Sequence, residues 1–368
     1  MTMKKILITG QKSYIGNAVA EYLEEWNRQR ASEVNTPRPN DVATSGANTL
    51  RANDVETSVG QDRSLGQSAV TYQVDKISLQ DASWQQTQFS GYDTILHVAG
   101  KAHVDVSTVS EETKQLYYRV NSELPAEVAA KAKAEGVKQF IHLSSVIIYG
   151  DSAGVGKTKV ITADTPPNPT NFYGDSKLQG EENLKPLADE NFKVAILRLP
   201  MVYGKDSKGN YPLLAKMAQV TPVFPNIKNQ RSMLYVENLA EFIRQLVESG
   251  EGGLYFPQNA EYVTTARMVQ LIGAAKGKKI RLWSILNPAV WLASKVPGKI
   301  GNLANKAFGS LTVDMALSHF LTSENDTARE LQITSQNDTV CEPKSAAAKE
   351  RDYRKYSLEE SIRRIHED

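Results

Sequence analysis

A short apolar strand that runs into a glycine turn and then a helix opens this chain, and that order of elements constrains its fold more than any other stretch. Lys4-Lys5-Ile6-Leu7-Ile8-Thr9-Gly10 reads as a buried strand ending in a turn. After Gln11-Lys12-Ser13-Tyr14, apolar residues recur at Ile15, Ala18, Val19, Tyr22, Leu23 and Trp26, which is helical spacing. Strand, glycine turn and helix are the setting that a dinucleotide-binding turn requires. Gly10 permits the tight turn, Gly16 allows close helix–strand packing, and the helix N-terminus offers free N–H groups to a pyrophosphate. Ser13 stands where a middle glycine is usual, so a Cβ presses on that site while its hydroxyl is available to donate.

Alternating strands and helices continue to about Leu199. Thr94–Val98 reads as a strand, Leu124–Glu135 as an alanine-rich helix closed by Gly136, and Val194–Leu199 as a strand. Such alternation implies an α/β fold: a doubly wound parallel sheet covered on both faces. After Gly204 the pattern loosens, with Pro212, Pro222 and Pro225, then returns to the sheet at Ser232–Val236 and to a helix at Glu237–Glu248. The expected division is a sheet domain of residues 1–199 and 232–258 and a smaller, discontinuous substrate lobe of 200–231 and 259–368. Residues 32–68 and 321–351 are polar and read as disordered or loosely packed surface insertions. Tyr356–Ile362 reads as a helix capped by Ser357 with Glu360 three residues on.

Two further segments carry chemistry. Tyr173 and Lys177 lie four apart, on one face of a helix. A phenol titrates near pH 10, and a neighbouring ammonium favours its ionised form, so the pair is a device for moving a proton to or from an alcohol. Gln139–Gly150 is an apolar strand that delivers Ser144 and Ser145 at its carboxyl end, the edge where open parallel sheets bind ligands.

Together these segments resemble the extended short-chain dehydrogenase/reductase family, the NAD-dependent epimerases and dehydratases. Its glycine motif matches Thr9–Gly16, so Gly10, Ser13, Tyr14, Ile15 and Gly16 are the expected cofactor turn. The Ser-Ser-x-x-x-Tyr-Gly block matches Ser144–Gly150, which makes Ser145, Tyr173 and Lys177 the expected catalytic residues. His97, Ala99 and Gly100 match the strand end that lies along the cofactor, and Asn121 matches the asparagine that fixes the active-site helix. Blocks at 198–204, 208–211, 229–239 and 308–314 are similar to bacterial enzymes acting at C4 of UDP-linked sugars for surface polysaccharides. That resemblance implies that Asn210 and Arg231 hold the diphosphate and that Phe224 lies against the uracil, with a surface arginine and a core aromatic as the alternatives. It also implies NAD, a UDP-sugar substrate and a homodimer. Val146 and Ile147 replace the acidic pair of the 4,6-dehydratases, which argues against dehydration. Met201 replaces the asparagine usual in galactose-type epimerases. A 4-epimerase, a 4-keto-sugar reductase and a non-catalytic dinucleotide sensor stay open.

The 32–68 segment obscures the acidic residue that selects NAD over NADP. Thr71–Leu79 is the second or third strand; Asp75 and Asp81 are candidate ribose or adenine contacts, with Ser78 in the expected place of the adenine-contacting aspartate. Composition fits a large enzyme core: 368 residues, 40% hydrophobic, net charge +1. That balance offers no overall basic field for nucleic acid. The single cysteine, Cys341, excludes an internal disulfide and suits the cytoplasm; five histidines show no metal-ligand spacing. Leu282–Ser294 is too short to span a bilayer. Its Trp283, Leu286, Val290 and Trp291 read as packing on the substrate lobe, with a membrane-touching face as the alternative.

Overall fold

A computed structural model describes residues 2–35, 70–102, 109–318, 321–322, 349–350 and 352–367. Most of the two polar insertions, Cys341 and His103 lie outside the described residues. Six strands, β1 (Thr2–Thr9), β2 (Val70–Ile77), β3 (Thr94–His97), β4 (Gln139–Ser145), β5 (Lys193–Leu199) and β6 (Gly253–Tyr255), form one parallel sheet in the order β2-β1-β3-β4-β5-β6. The chain order reverses at β1, which creates a crevice at the carboxyl ends of β1 and β3. Thr71–Leu79 thus pairs with β1 as an edge strand among the described residues.

The period of two along β1 assigns its side chains to opposite cores. Ile6 and Ile8 face one cluster, with Val19 and Leu23 of α1 (Tyr14–Asn35) and the apolar face of α6 (Val236–Ser249). Leu7 faces the other, with Leu124, Val128 and Ala129 of α3 (Leu124–Ala134) and Leu184 of α4 (Phe172–Leu184). Each such aliphatic side chain taken fully from water contributes about 1.5–3 kcal/mol.

The strand at Met233–Tyr235 does not rejoin the large sheet as expected. It pairs in parallel with Met201–Tyr203 in a separate two-stranded ladder, and Gly253–Tyr255 takes the sheet edge instead. Pro200, with no N–H to give a ladder, separates Met201 from the end of β5. A further cluster carries the lobe beyond: Tyr211 and Leu214 of α5 (Asn210–Val220), Met268 and Ile272 of α7 (Thr265–Ala275), and Leu358 and Ile362 of α10 (Leu358–His366). Helix α10 starts at the Ser357–Glu360 capping box read from the sequence. Just before it, Tyr353 is buried in the sheet domain, edge-on to Phe242 at 4.9 Å, its hydroxyl bonded to both backbone groups of Gln258. Among the described residues no helix is long and apolar enough to cross a membrane.

Between α2 (Glu111–Tyr118) and α3 the helix widens into one π-turn, Arg119–Glu123. It lies so close to α4 that a Cβ on Gly180 would sit 2.2 Å from the Asn121 carbonyl oxygen. Gly180→Ala is therefore expected to push α4 off this turn and to cost about 1–3 kcal/mol, as overpacked cores do. Urea unfolding of the variant measures it; an unchanged midpoint would contradict the contact.

Candidate active site

The carboxyl ends of β1, β3 and β4 meet the first turns of α1 and α4. Gly10 adopts φ +102°, and a Cβ there would meet the Ala99 backbone nitrogen at 3.0 Å, so the β1 turn rests directly on the end of β3. The Ile77 carbonyl ties the turn down by accepting from Gly10 and Gln11 (2.9 and 3.0 Å). Ser13 Oγ accepts from Gly16 N at 3.3 Å, which leaves its own proton free to donate. Gly16 is buried where a Cβ would touch Val98 and Ile8. The first turn of α1 leaves N–H groups without intrahelical partners. Tyr14 folds back against Gly204, its hydroxyl buried with no partner among the described residues.

Ser13, Tyr14, Ile15, Ala99, Ser145 and Tyr173 are all half-buried, and Gly100 is exposed, so they line an open crevice. Asn171 caps α4 by accepting from Gly174 N at 3.0 Å, which starts the helix at Phe172, one residue before Tyr173. Lys177, one turn on, is buried; its ammonium donates to the Leu143 carbonyl at 2.9 Å and faces Gly100. Ser145 ends β4 and caps the following 3-10 turn, Val146–Tyr149, through Ile147 N. Asn121 grips the Lys101 backbone in both directions (2.8 and 3.0 Å) and donates to Ser176 at 3.1 Å. It thereby joins the β3 end to α4.

The charge state of the pair differs from the expectation. Burial pushes the Tyr173 phenol up to about 12, opposed by its hydrogen bond to Ser145. The Lys177 ammonium is turned to the Leu143 carbonyl. Burial brings Lys177 itself down to about 8, with Glu181 acting the other way. At neutral pH the pair is a phenol beside an ammonium.

Beneath it lie groups that the sequence did not single out. Glu181 and Arg198 form a two-armed ion pair, 2.7 Å at its closest, with exposures of 0% and 1%. Ser144 donates to the same carboxylate, and Arg198 donates to Tyr149 Oη at 2.6 Å. His97 and His142 stack across β3 and β4 at 5.6 Å, and His97 Nδ1 meets Thr9 Oγ1 at 2.9 Å. Burial, then the Lys177 charge, lowers His97 to about 3 and His142 well below its usual range. Both rings are neutral, and His97 is sealed inside the sheet rather than facing the crevice. The signal for Glu181 was its place four residues past Lys177, on the same helical face.

The substrate candidates are not gathered in the same way. Asn210 starts α5 behind Gly209. Arg231 Nε donates to the Gly309 carbonyl at 3.1 Å and Nη2 to that of Lys306; Nη1 has no partner among the described residues. Phe224 is 2% exposed and packs on Phe308 at 5.7 Å. The core-aromatic alternative describes it, since a ring with no free face cannot stack on a base here. Asp75 is engaged by Tyr92 and Gln73 partway along β2, and Asp81 caps the turn at Ser83. Among the described residues no group of histidines, cysteines and carboxylates is arranged to hold a metal.

Residues 6–255 match the family model described as the NAD dependent epimerase/dehydratase family. The chain belongs to this family. It is 30% identical to a UDP-glucose 4-epimerase of Vibrio cholerae over 60% of this chain and 68% of that one. It is 33% identical to an N-acetyl-alpha-D-glucosaminyl-diphospho-ditrans,octacis-undecaprenol 4-epimerase of Escherichia coli O157:H7, over 45% of this chain and 48% of that one. The fold also resembles a UDP-glucuronic acid 4-epimerase from Bacillus cereus solved with NAD (TM-score 0.56, 15% identity, 99% and 96% of the two chains). The crevice has what a family dinucleotide needs: a glycine turn pressed on β3, an open helix N-terminus and a buried ammonium beside Gly100.

Two outcomes follow. Removing one partner of the buried pair, in Arg198→Met or Glu181→Leu, is expected to cost about 3–5 kcal/mol, and the double variant much less. Equal losses in single and double variants, by urea unfolding, would remove the pair from its anchoring role. The second concerns Lys177. Its folded pKa of about 8 lies below the free value of 10.5. Between these values the unfolded chain binds more protons, so this group makes stability rise with pH. The stability difference between wild type and Lys177→Met should move in favour of wild type from pH 8 to pH 10, by on the order of 2–3 kcal/mol. The same difference at both pH values would mean that Lys177 titrates normally.

Proposed function

We propose that the protein is a nucleotide-sugar 4-epimerase that retains NAD and acts on C4 of a UDP-hexose. The observation that carries this reading is the convergence of Ser145, Tyr173 and Lys177 on the crevice bounded by Ala99 and Gly100. Gly10, Ser13, Tyr14, Ile15 and Gly16 hold the pyrophosphate, and Lys177 the adjoining ribose. When bound, the dinucleotide supplies a hydride acceptor and, oxidised, a positive charge. Ser145 orients the sugar 4-oxygen. Tyr173 takes the 4-hydroxyl proton as C4 is oxidised, then returns it when the 4-keto sugar is reduced on its other face. Arg231, through its unused Nη1, and Asn210 serve the diphosphate. Ser78, not a carboxylate, stands directly after the end of β2, so NAD and NADP are tested side by side. A homodimer through two helices of the sheet domain belongs to the same proposal.

Denaturing the purified protein and identifying any released dinucleotide is the first test. Near-stoichiometric NAD is the expected result. An empty site that binds NADH or NADPH weakly would replace the epimerase with a 4-keto-sugar reductase, whose proton chemistry uses the same residues. Tyr173→Phe should lower turnover of UDP-glucose or UDP-N-acetylglucosamine by at least about 10²–10⁴-fold, the range of a lost acid–base group. Dinucleotide should still bind. A cofactor-dependent function unaffected by that change would favour the sensor.

A further inference from the structure

Surface helices ordinarily turn their apolar stripe inward and their charges outward. The pair α8 (Asn287–Lys295) and α9 (Lys299–Phe308) departs from that rule. Its inner face is accounted for. Val290 packs into the lobe core, Ser294 and Phe308 are buried, and Asn305 spans from the Ser294 carbonyl (3.1 Å) to Val155 N (3.0 Å). The corner is closed by Gly301, where a Cβ would lie 2.1 Å from the Val296 carbonyl oxygen.

The outer face is apolar. Leu292, Ile300 and Leu303 are 64%, 61% and 58% exposed, and Trp291 is 53% exposed. Trp283 and Ile285, on the segment leading into α8, are 45% and 81% exposed. Among the described residues, seven of the 12 exposed large hydrophobic residues fall between 283 and 303, so the feature is concentrated and not the usual scatter. The expectation that Trp283, Leu286, Val290 and Trp291 pack on the lobe is thereby corrected in part: Val290 does so, together with Leu282, while the two indoles stay about half exposed.

The charges along the same stretch of chain have one sign. Between Glu261 and Asp314 the chain carries eight lysines and arginines and no acidic residue, although the whole chain is only +1. Lys279, Arg281, Lys295, Lys299 and Lys306 are exposed. Lys295 lies over the Trp291 ring at 5.4 Å. Exposed indoles and aliphatics interspersed with lysines are the composition of a surface that rests in the headgroup layer of an anionic bilayer. A second protein copy carrying the same basic segment would instead bring like charges together.

We propose that the α8–α9 face docks the enzyme on an anionic lipid surface, peripherally and without crossing it. Ile300, Leu303 and Leu292 enter the acyl boundary, Trp283 and Trp291 lie at headgroup depth, and the lysines meet lipid phosphates. Each lysine near such a surface strengthens attachment severalfold at low salt.

The test is flotation of the full chain with vesicles of phosphatidylcholine containing 30% phosphatidylglycerol, against pure phosphatidylcholine. Binding to the anionic vesicles, weakened by 0.5 M salt, is expected. Ile300→Ser/Leu303→Ser should lower the bound fraction on the order of tenfold, with thermal unfolding unchanged. Brominated lipid should quench wild-type tryptophan emission, and Trp291→Phe should reduce that quenching, a readout that stands even where the double variant misfolds. Absence of flotation at low salt, or equal flotation of the double variant, overturns the proposal. So does a wild-type dimer that the double variant dissociates while neither form floats, because a second copy then covers the face.

Discussion

The buried ion pair between Glu181 and Arg198 is the constraint around which the candidate active site is arranged. It links three elements that the chain delivers separately. Glu181 comes from α4, one turn beyond Lys177; Arg198 comes from β5; Ser144, which shares the carboxylate, is the neighbour of Ser145 at the end of β4. A carboxylate and a guanidinium out of water are costly unless each is fully bonded. Here the fork of Arg198 spans both carboxylate oxygens and Tyr149, with Tyr149 and Phe256 rings alongside. The geometry that satisfies these bonds also sets the distance from α4 to β4, and so the position of Tyr173 relative to Ser145.

A second set of bonds holds α4 from its other side. The π-turn at Asn121 presents that side chain to Lys101 and Ser176 at once, and Gly180 lets the two backbones touch. Such a turn costs helix hydrogen-bond geometry and tends to mark functional positions. Here its effect is to tie the end of β3, where Ala99 and Gly100 border the crevice, to the helix that carries Tyr173 and Lys177. The C-terminal segment does the same at larger scale. Tyr353 is locked into the sheet domain, while Ser361 meets Tyr203 and Leu358 enters the outer lobe.

Much of this was legible in the residues. The order of strands and helices, the β1 turn and the Tyr173–Lys177 face are local patterns, and local patterns survive in a one-dimensional reading. The register that brings His97 beside His142, and the partner of Glu181, were not legible, because both depend on which strands become neighbours. The return of Met233–Tyr235 to the sheet was misplaced for the same reason: an apolar triplet does not say which ladder it joins. Phe224 shows the limit of analogy, since an aromatic at a substrate position and one in a core look alike until burial is known. The apolar stretch around Trp291 shows the converse. Its hydrophobicity suggested burial, and only the inner contacts of Ser294 and Asn305 reveal which face is spent.

The raised phenol and lowered ammonium belong to one electrostatic argument. Tyr173, Lys177, His97 and His142 share a region in which burial disfavours every charged form. The histidines yield completely and stay neutral, while Lys177 is favoured in its charged form by Glu181 one turn away. A region so poor in competing charge makes the phenol sensitive to whatever cation is brought to the crevice. With none, the phenol holds its proton, as a general acid must. In the proposed epimerisation, a further positive charge brought to the crevice would let the same residue accept one. The reversible exchange proposed at the sugar oxygen would require both states.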